Sequence, residues 1–561
     1  MANLNQPAIN YLVVILHGYT CKVSSYDFIR KRVENAYPGA KIIVPALGLQ
    51  VFSNKNPNYI VKNIVERIDK EWETGLFEHI ILIGHSCGAV LARKAYVYAC
   101  GENEDAPFEL PGFKKPRPWA SKIERIILMA GMNRGWSVNP HLSFFIALAW
   151  EFGILIGTML SVINYKVFIT RLKKGAPFIT QLRIQWLSML DKAPIKAVGD
   201  SIIVQLLGTI DDLVSPDDNI DLFTGGNFFY LEVPMSGHRN VLDMDSSEAG
   251  EERARVFNIA LSNNQKELMN LQAHSFEPTA TKQRPEVTDV IFVIHGIRDA
   301  GYWTKKIARR VQEMGKLNNR VFEPETSSYG YFPMLPFLLY PTRRAKVEWL
   351  MDRYTENLAK YPNADFSFIG HSNGTYLLAK ALEDYPACRF KNVVLAGSVV
   401  RKSYDWSSMI AENRIQGIVN LVASADWVVA IFPKAFQTLH IQDLGSGGHD
   451  GFTTLCAPGA QVTYLKGSHN AGIKERLWDA ISDIIVHGST TTQSIKNETN
   501  KQNQIIRILG IVAPLVIIGI VAALIAIGYF FIWSPLFPNP VIQVLSILLY
   551  IFILWKIITK I

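Results

Sequence analysis

The sequence predicts an α/β fold built twice, each time as a mostly parallel sheet flanked by helices, followed by a C-terminal helical membrane hairpin. Three observations predict it. One short motif, G-x-S-x-G, occurs as Gly84-His85-Ser86-Cys87-Gly88 and again as Gly370-His371-Ser372-Asn373-Gly374. Each copy follows an apolar run that reads as a buried strand (His79 to Ile83; Phe366 to Ile369) and opens a helical pattern (Ala89 to Lys94; Thr375 to Lys380). Near the end of the chain, no residue from Ile508 to Trp533 is charged; as a helix this stretch spans about 39 Å, more than the roughly 30 Å hydrocarbon core of a bilayer.

The setting of the two serines carries chemistry. A strand-to-helix turn of this kind is too tight for a Cβ beside the serine, so glycines bracket it and the hydroxyl stands above the sheet edge. Upstream of each serine lies a second shared signature, Tyr11-Leu12-Val13-Val14-Ile15-Leu16-His17-Gly18-Tyr19 and Val290-Ile291-Phe292-Val293-Ile294-His295-Gly296-Ile297, at a similar distance ahead of it. On these residues the sequence resembles the α/β-hydrolase superfamily, duplicated in tandem. The resemblance implies serine esterase or lipase chemistry, with a triad in the chain order Ser, Asp, His.

Two such domains and a tail account for the 561 residues. The first domain is read over 8–262, ending in a helix from Ala249 to Leu261 and carrying a lid insertion at about 135–198. The polar stretch 263–286, with Pro278 and Pro285, is the linker. The second domain covers 287–488 and closes with a helix from Ala471 to Ile485. A second polar linker, 489–504, has little to bury. The transmembrane hairpin is read over 505–558, with the uncharged turn-forming run Ser534 to Pro540 between its arms. Its second arm, from Val541 to Trp555, is short and spans only if Lys556 snorkels.

Composition narrows the class further. The five cysteines form no C-x-x-C pair and no regular spacing, which argues against a disulfide framework and a zinc site and for a reducing compartment. The N-terminus, Met1 to Pro7, lacks a basic and an apolar segment and so reads as no secretory signal. The net charge of +8 comes with no nucleic-acid-binding signature; it is read as membrane-facing, and neither nucleic acid, metal nor cofactor is expected. Lys496, Lys501 and Arg507 precede the hairpin and Lys556 and Lys560 follow it, so the positive-inside rule places both ends and the catalytic domains in the cytoplasm.

The resemblance selects the remaining site residues. After the strand Ser201 to Leu207, the acid falls third after Gly208, at Asp211, with Asp212 the lesser choice. After the strand Phe228 to Val233, Ser236-Gly237-His238 supplies the base, His238. In the second domain the strand from Ile418 leads to Asp426, although Ala423 stands where a glycine is expected. The base is His469, which follows a strand and precedes the closing helix as His238 does; the rival is His449, in the glycine-rich loop Gly445 to Gly451. The triads are therefore Ser86, Asp211, His238 and Ser372, Asp426, His469. Oxyanion donors are expected at the residue after each nucleophile and in the turn after each His-Gly: Cys87 with Tyr19, and Asn373 with Ile297. Neither domain has the H-G-G-G version of that turn.

Substrate class is read from the apolar insertions. Leu142 to Ile163 is long enough to mimic a membrane span, but a crossing there would separate Ser86 from Asp211 and His238, so it is a cap or lid. Tyr329 to Tyr340 is an aromatic and apolar stretch ahead of Ser372. Both are followed by cations, Arg171, Lys173 and Lys174 in one case and Arg343, Arg344 and Lys346 in the other. Two readings fit: an interfacial element facing anionic headgroups, or ordinary lid packing with a solvated basic helix start. The expected partners are the lipid bilayer and an acyl-ester substrate. A thioesterase or acyltransferase, or one catalytic domain with a non-catalytic partner domain, are the alternatives. Because the triads lie upstream of the hairpin, removing 505–561 is expected to leave a soluble enzyme.

Overall fold

Unbroken runs of aliphatic residues such as Leu12 to Leu16 offer no wet face, so they form strands covered on both sides. The first half yields β1 (Tyr11–Leu16), β2 (Lys41–Ile43), β3 (His79–His85), β4 (Ile123–Met129), β5 (Ile202–Gly208) and β6 (Phe228–Val233). Every pairing is parallel, in the order β2-β1-β3-β4-β5-β6. The second half yields β7 (Asp289–Ile294), β8 (Phe322–Glu325), β9 (Asp365–His371), β10 (Phe390–Ala396), β11 (Ile415–Ala423) and β12 (Ala460–Leu465). Their order, β8-β7-β9-β10-β11-β12, repeats the first strand for strand, again all parallel. The duplication seen in two short motifs therefore extends to both sheets. This computed structural model describes residues 11–101, 116–137, 165–196, 201–211, 220–221, 227–271, 283–299, 301–455, 458–489, 493–533 and 539–560.

In the first half the helices are α1 (Asp27–Ala36), α2 (Pro57–Trp72), α3 (Cys87–Ala99), α4 (Pro177–Lys196), α5 (Glu248–Ser262) and α6 (Gln265–Leu271). Successive strand residues point to opposite faces. Leu12, Val14, Ile80 and Leu82 pack with Ile64, Leu91 and Trp186 of α2, α3 and α4. Val13, Ile15, Ile81 and Ile83 pack instead with Ile29, Val33, Phe257 and Leu261 of α1 and α5. In the second half come α7 (Thr304–Leu317), α8 (Met334–Leu338), α9 (Tyr340–Lys360), α10 (Asn373–Asp384), α11 (Trp406–Ala411), α12 (Trp427–Leu439), α13 (Trp478–His487) and α14 (Gln493–Asn497). Ile291, Val293, Ile369 and Leu421 are covered there by Ile307, Val311, Ile481 and Ile485 of α7 and α13. The chain divides into two compact units, Met1–Gln283 with Tyr354–Lys360, and Arg284–Arg353 with Tyr361–Ile561.

Several sequence expectations are corrected. The first polar linker opens with a helix: Asn264 and Glu267 cap α6 reciprocally, and Leu268 is fully buried. The second polar linker is stitched to its domain, because one isoleucine, Ile495, is fully buried and the backbone pairs with the sheet edge through Lys466 N to Glu498 O (2.9 Å) and Asn500 N to Tyr464 O (2.6 Å). The closing helix starts at Trp478, preceded by 3-10 turns at Ala471–Ile473 and Glu475–Leu477. The lid run from Leu142 to Ile163 lies outside the described residues. The cations after Tyr340 turn inward: Arg343, almost wholly buried, meets Asp443 (2.7 Å), Arg344 pairs with Asp384, and Lys346 donates to the Tyr329 carbonyl (2.9 Å). They present no basic face to headgroups, nor a solvated helix start.

At the C-terminus, α15 (Gln504–Trp533) is long and apolar enough to cross a membrane, by length and composition. The expected second span is shorter: α16 (Pro540–Lys560) is apolar through Lys556 and falls below spanning length in its described part. It packs back along α15, with Ser546 Oγ donating to Phe531 O (3.0 Å), Tyr550 OH to Leu524 O (2.7 Å), and the Tyr550 and Phe531 rings stacked. The N-terminal half of α15 does not stand free. Ala513 and Ile517 are buried against Ile431, Phe432 and Ala435 of α12.

Candidate active sites

The strand order fixes where each site lies. With β2 and β3 on opposite sides of β1, the connections after β1 and β3 diverge, and a crevice opens between their carboxyl ends. Ser86 sits at that end of β3, and Ser372 at the matching end of β9. Their backbones are superimposable in angle, φ 54°, ψ −120° for Ser86 and φ 52°, ψ −118° for Ser372. An L-residue held there stores about 1–3 kcal/mol of strain, which a surrounding fold must impose. Here the next helix begins at once, and the second glycine of each motif lies on the neighbouring strand: a Cβ on Gly88 would stand 2.1 Å from Leu16 O, and one on Gly374 2.4 Å from Ile294 O.

In the first site the predicted residues meet. His238 Nε2 is 2.8 Å from Ser86 Oγ, and His238 Nδ1 is 3.1 Å from Asp211 Oδ2. A carboxylate only accepts, so the Nδ1–H donates to Asp211 and Nε2 accepts the serine proton. The pairing of β5 with β6 brings the two loops together, with Ile210 N donating to Ser236 O (3.0 Å). Arg253 on α5 then pins the base loop, donating from Nε to Ser236 Oγ (2.9 Å) and from Nη2 to Met235 O (2.6 Å). Asp212 lies outside the described residues.

The second site is assembled less completely. His469 Nδ1 lies 2.9 Å from Asp426 Oδ2 and 3.1 Å from Oδ1. Asp426 also caps α12, its Oδ1 accepting from Val429 N (3.0 Å). No hydrogen bond joins His469 to Ser372; the imidazole bonds among the described residues are those to Asp426. His449 is fully buried on its own loop, with neither ring nitrogen hydrogen-bonded, and burial lowers its pKa. It joins neither Ser372 nor Asp426; its nearest carboxylate is Asp450, at 3.7 Å.

The turns expected to supply oxyanion donors pass directly over the serines. A Cβ on Gly18 would lie 3.2 Å from Ser86 Cβ, and one on Gly296 2.7 Å from Ser372 Cβ. Two residues on, both turns take a left-handed residue, Thr20 at φ 61° and Arg298 at φ 56°. Among the described residues, the amides of Tyr19, Cys87, Ile297 and Asn373 donate to no backbone carbonyl outside regular helices and strands. Burial raises the pKa of the Cys87 thiol and holds it protonated.

Sequence reasoning missed the residues that brace these loops. Gly18 N donates to Tyr26 OH (2.7 Å), Tyr26 OH meets His85 Nδ1 (2.9 Å), and His85 Nε2 meets His238 O (2.8 Å). Burial, then the neighbouring His238, push the His85 pKa down to about 3. In the second site His371 Nε2 is 3.4 Å from His469 O and its Nδ1 is unbonded; its pKa is likewise lowered to about 3. Trp303 stands edge-on to that ring and spends its Nε1–H on Asp299 (2.8 Å). The one available signal was the histidine shared by both motifs, at the position before the serine.

The chain matches no protein-family model and no curated protein. Among solved structures it is similar to a lipase-esterase related protein from Clostridium acetobutylicum, at 14% identity over 45% of this chain and 96% of that one (TM-score 0.27). It is similar to Est1E from Butyrivibrio proteoclasticus at 11% identity, over 46% and 91% of the two chains (TM-score 0.28). Phospholipase PlaB from Legionella pneumophila shares 15% identity over 47% of this chain and 64% of that one (TM-score 0.31). At these scores the likenesses carry no argument about activity. The strand order and the two strand-serine-helix turns make each half of the chain an α/β-hydrolase-like fold.

Proposed function

We propose that the chain is a membrane-anchored serine hydrolase that cleaves carboxylic esters, lipid-like or with long acyl chains. The observation that carries this reading is the unbroken hydrogen-bonded chain from Ser86 Oγ through His238 to Asp211. Ser86 Oγ attacks the ester carbonyl carbon as its proton passes to His238 Nε2, while Asp211 holds the imidazole and stabilises its charge. The tetrahedral oxyanion accepts hydrogen bonds from the Cys87 and Tyr19 amides. As the intermediate collapses, the alkoxide leaves with the proton from Nε2. A water activated by the same nitrogen then attacks the acyl-enzyme and frees the acid, and Ser86 regains its proton.

Membrane substrate is favoured by what surrounds the second site. Tyr329, whose single hydroxyl proton is shared between the carbonyls of His295 and Gly296, begins the segment that leads to α8, and α8 approaches α16. Trp427, beside Asp426, begins α12, on which α15 is seated. Tyr331, Leu335, Leu339 and Trp427 are exposed apolar groups in these two elements, a surface suited to lipid. We place both C-terminal helices in the bilayer, α16 with Lys556 reaching to the interface, and both sheets in the cytoplasm.

A second reading has its own observation: the missing bond between Ser372 and His469 favours one working site with a half-assembled partner domain. Labelling with a fluorophosphonate probe in wild type, Ser86→Ala and Ser372→Ala separates the readings. Loss of a labelled peptide in each variant supports two sites, loss only with Ser86→Ala supports one, and no labelling in the wild type sinks the hydrolase proposal.

A further inference from the structure

His85 takes no part in the proton transfers above, yet it stands between the turn over the nucleophile and the loop that carries the base. Its hydrogen-bond polarity is fixed from both ends. His85 Nε2 lies 2.8 Å from the carbonyl oxygen of His238, which can only accept, so Nε2 carries a proton. A neutral ring then leaves Nδ1 bare, and burial keeps the ring neutral. From the other end, the Gly18 amide donates to the Tyr26 oxygen at 2.7 Å, which leaves the Tyr26 proton for His85 Nδ1 at 2.9 Å. Both arguments give the same tautomer.

We infer that Tyr26 and His85 are positioning residues of the first site, a relay running from the Gly18 amide through the tyrosine hydroxyl and the imidazole to the His238 carbonyl. The relay holds the oxyanion turn and the base loop in register across Ser86. It deepens the hydrolase reading and rests on it. Its two ends are the two parts of the site whose spacing must match a tetrahedral intermediate, one supplying a donor N–H and the other the general base. Without the Tyr26 hydroxyl, the His238 carbonyl still keeps the imidazole proton on Nε2, but the Gly18 amide and His85 Nδ1 lose the group that joins them, and the oxyanion turn is no longer tied to the base loop.

The second domain shows the arrangement without the relay. Trp303 occupies the place beside the elbow histidine, its one donor is taken by Asp299, and His371 Nδ1 is unbonded. The contact from His371 Nε2 to the His469 carbonyl lengthens to 3.4 Å, and in this domain the base makes no bond to the serine.

The test uses the full chain in detergent, carrying Ser372→Ala so that only the first site is read, with p-nitrophenyl butyrate as substrate and a fluorophosphonate as titrant of Ser86. Tyr26→Phe and His85→Leu should each lower kcat and the labelling rate by about 10²-fold, the cost of roughly 1 Å of misplacement, with KM and Tm little changed. His85→Gln keeps an N–H donor toward the His238 carbonyl and should recover most of the loss. The proposal is overturned if Tyr26→Phe and His85→Leu both keep kcat within about threefold of the parent. It is equally overturned if kcat falls only together with Tm, or if His85→Gln is as impaired as His85→Leu. Should the parent hydrolyse nothing and Ser86 take no label, it is the hydrolase reading that fails first, and the relay falls with it.

Discussion

His238 Nε2 lies 2.8 Å from Ser86 Oγ, whereas their counterparts in the second domain, His469 and Ser372, make no hydrogen bond with one another although each follows the matching strand. The two serines share one strained backbone conformation, so the difference lies not in the path of the nucleophile turns but in the side chains and base loops that meet there.

A consequence is a rate difference between the two serines. A positioned general base contributes roughly 10²–10⁴-fold, so fluorophosphonate labelling should be faster at Ser86 than at Ser372 by at least about tenfold. A time course resolved by peptide checks it. Equal rates would mean that the open geometry of the second site closes readily in solution.

The acids should differ in kind. Asp211→Asn removes the partner of His238 Nδ1 and should lower turnover at the first site by about 10⁴-fold with little change in Tm. Asp426→Asn should silence the second site by the same route. Asparagine remains a good cap for α12, so stability should hold there, whereas Asp426→Ala should also lose about 1 kcal/mol from the missing cap. For the bases, His469→Ala should abolish labelling of Ser372 and His449→Leu should spare it. The opposite result would move the base to the glycine-rich loop.

Much of this arrangement is written in the sequence because parallel strands and sharp turns leave strong local marks. The runs at Leu12 to Leu16 and Phe366 to Ile369 and the glycines around Ser86 and Ser372 are all short-range signals, whereas Asp211 and His469 are reached only through the resemblance to the hydrolase pattern. Tyr26 leaves no such signal: it is an ordinary aromatic just before a helix, two residues from Phe28, and its hydroxyl gains meaning only when the third strand brings His85 to it. The polar runs misled for a similar reason. Ile495 is a single isoleucine in a hydrophilic stretch and Leu268 one of a few apolar residues in another, beside the exposed Met269 and Leu271, and only tertiary packing shows that each is buried. The cations after Tyr340 read as a basic face until Asp443 and Asp384, distant in sequence, are seen to pair with them.

The seat of α15 on α12 changes the expectation for a truncated chain. Cutting after Asn503 removes Ala513 and Ile517 and leaves Ile431, Phe432 and Ala435 uncovered, so the shortened protein should aggregate rather than emerge soluble. Point substitutions test lipid access more cleanly. Leu335→Asp with Leu339→Asp, on exposed apolar positions outside both triads, should reduce hydrolysis of an ester embedded in phosphatidylcholine vesicles several-fold while p-nitrophenyl butyrate is cleaved as before. Equal loss on both substrates would show that these residues serve the fold and not the membrane.

Acid should destabilise the protein through its elbow histidines. Burial first, and then the adjacent His238 or His469, hold His85 and His371 near a pKa of about 3, against about 6.5 for an unperturbed imidazole. Between those values the unfolded chain binds a proton that the native state refuses, so stability rises with pH across this window and is lost as pH falls below about 6.5. The slope reaches about 1.4 kcal/mol per pH unit for each such histidine. Carboxylates add their own acid dependence, so the informative comparison is between the parent and His371→Gln, which puts an uncharged group in the same buried place and lies outside the first site. From pH 7 to pH 5 the Tm of the variant should fall less than that of the parent, whatever its absolute value. Parallel curves would mean that His371 takes up its proton in the folded state, and that the space behind Ser372 is open to water.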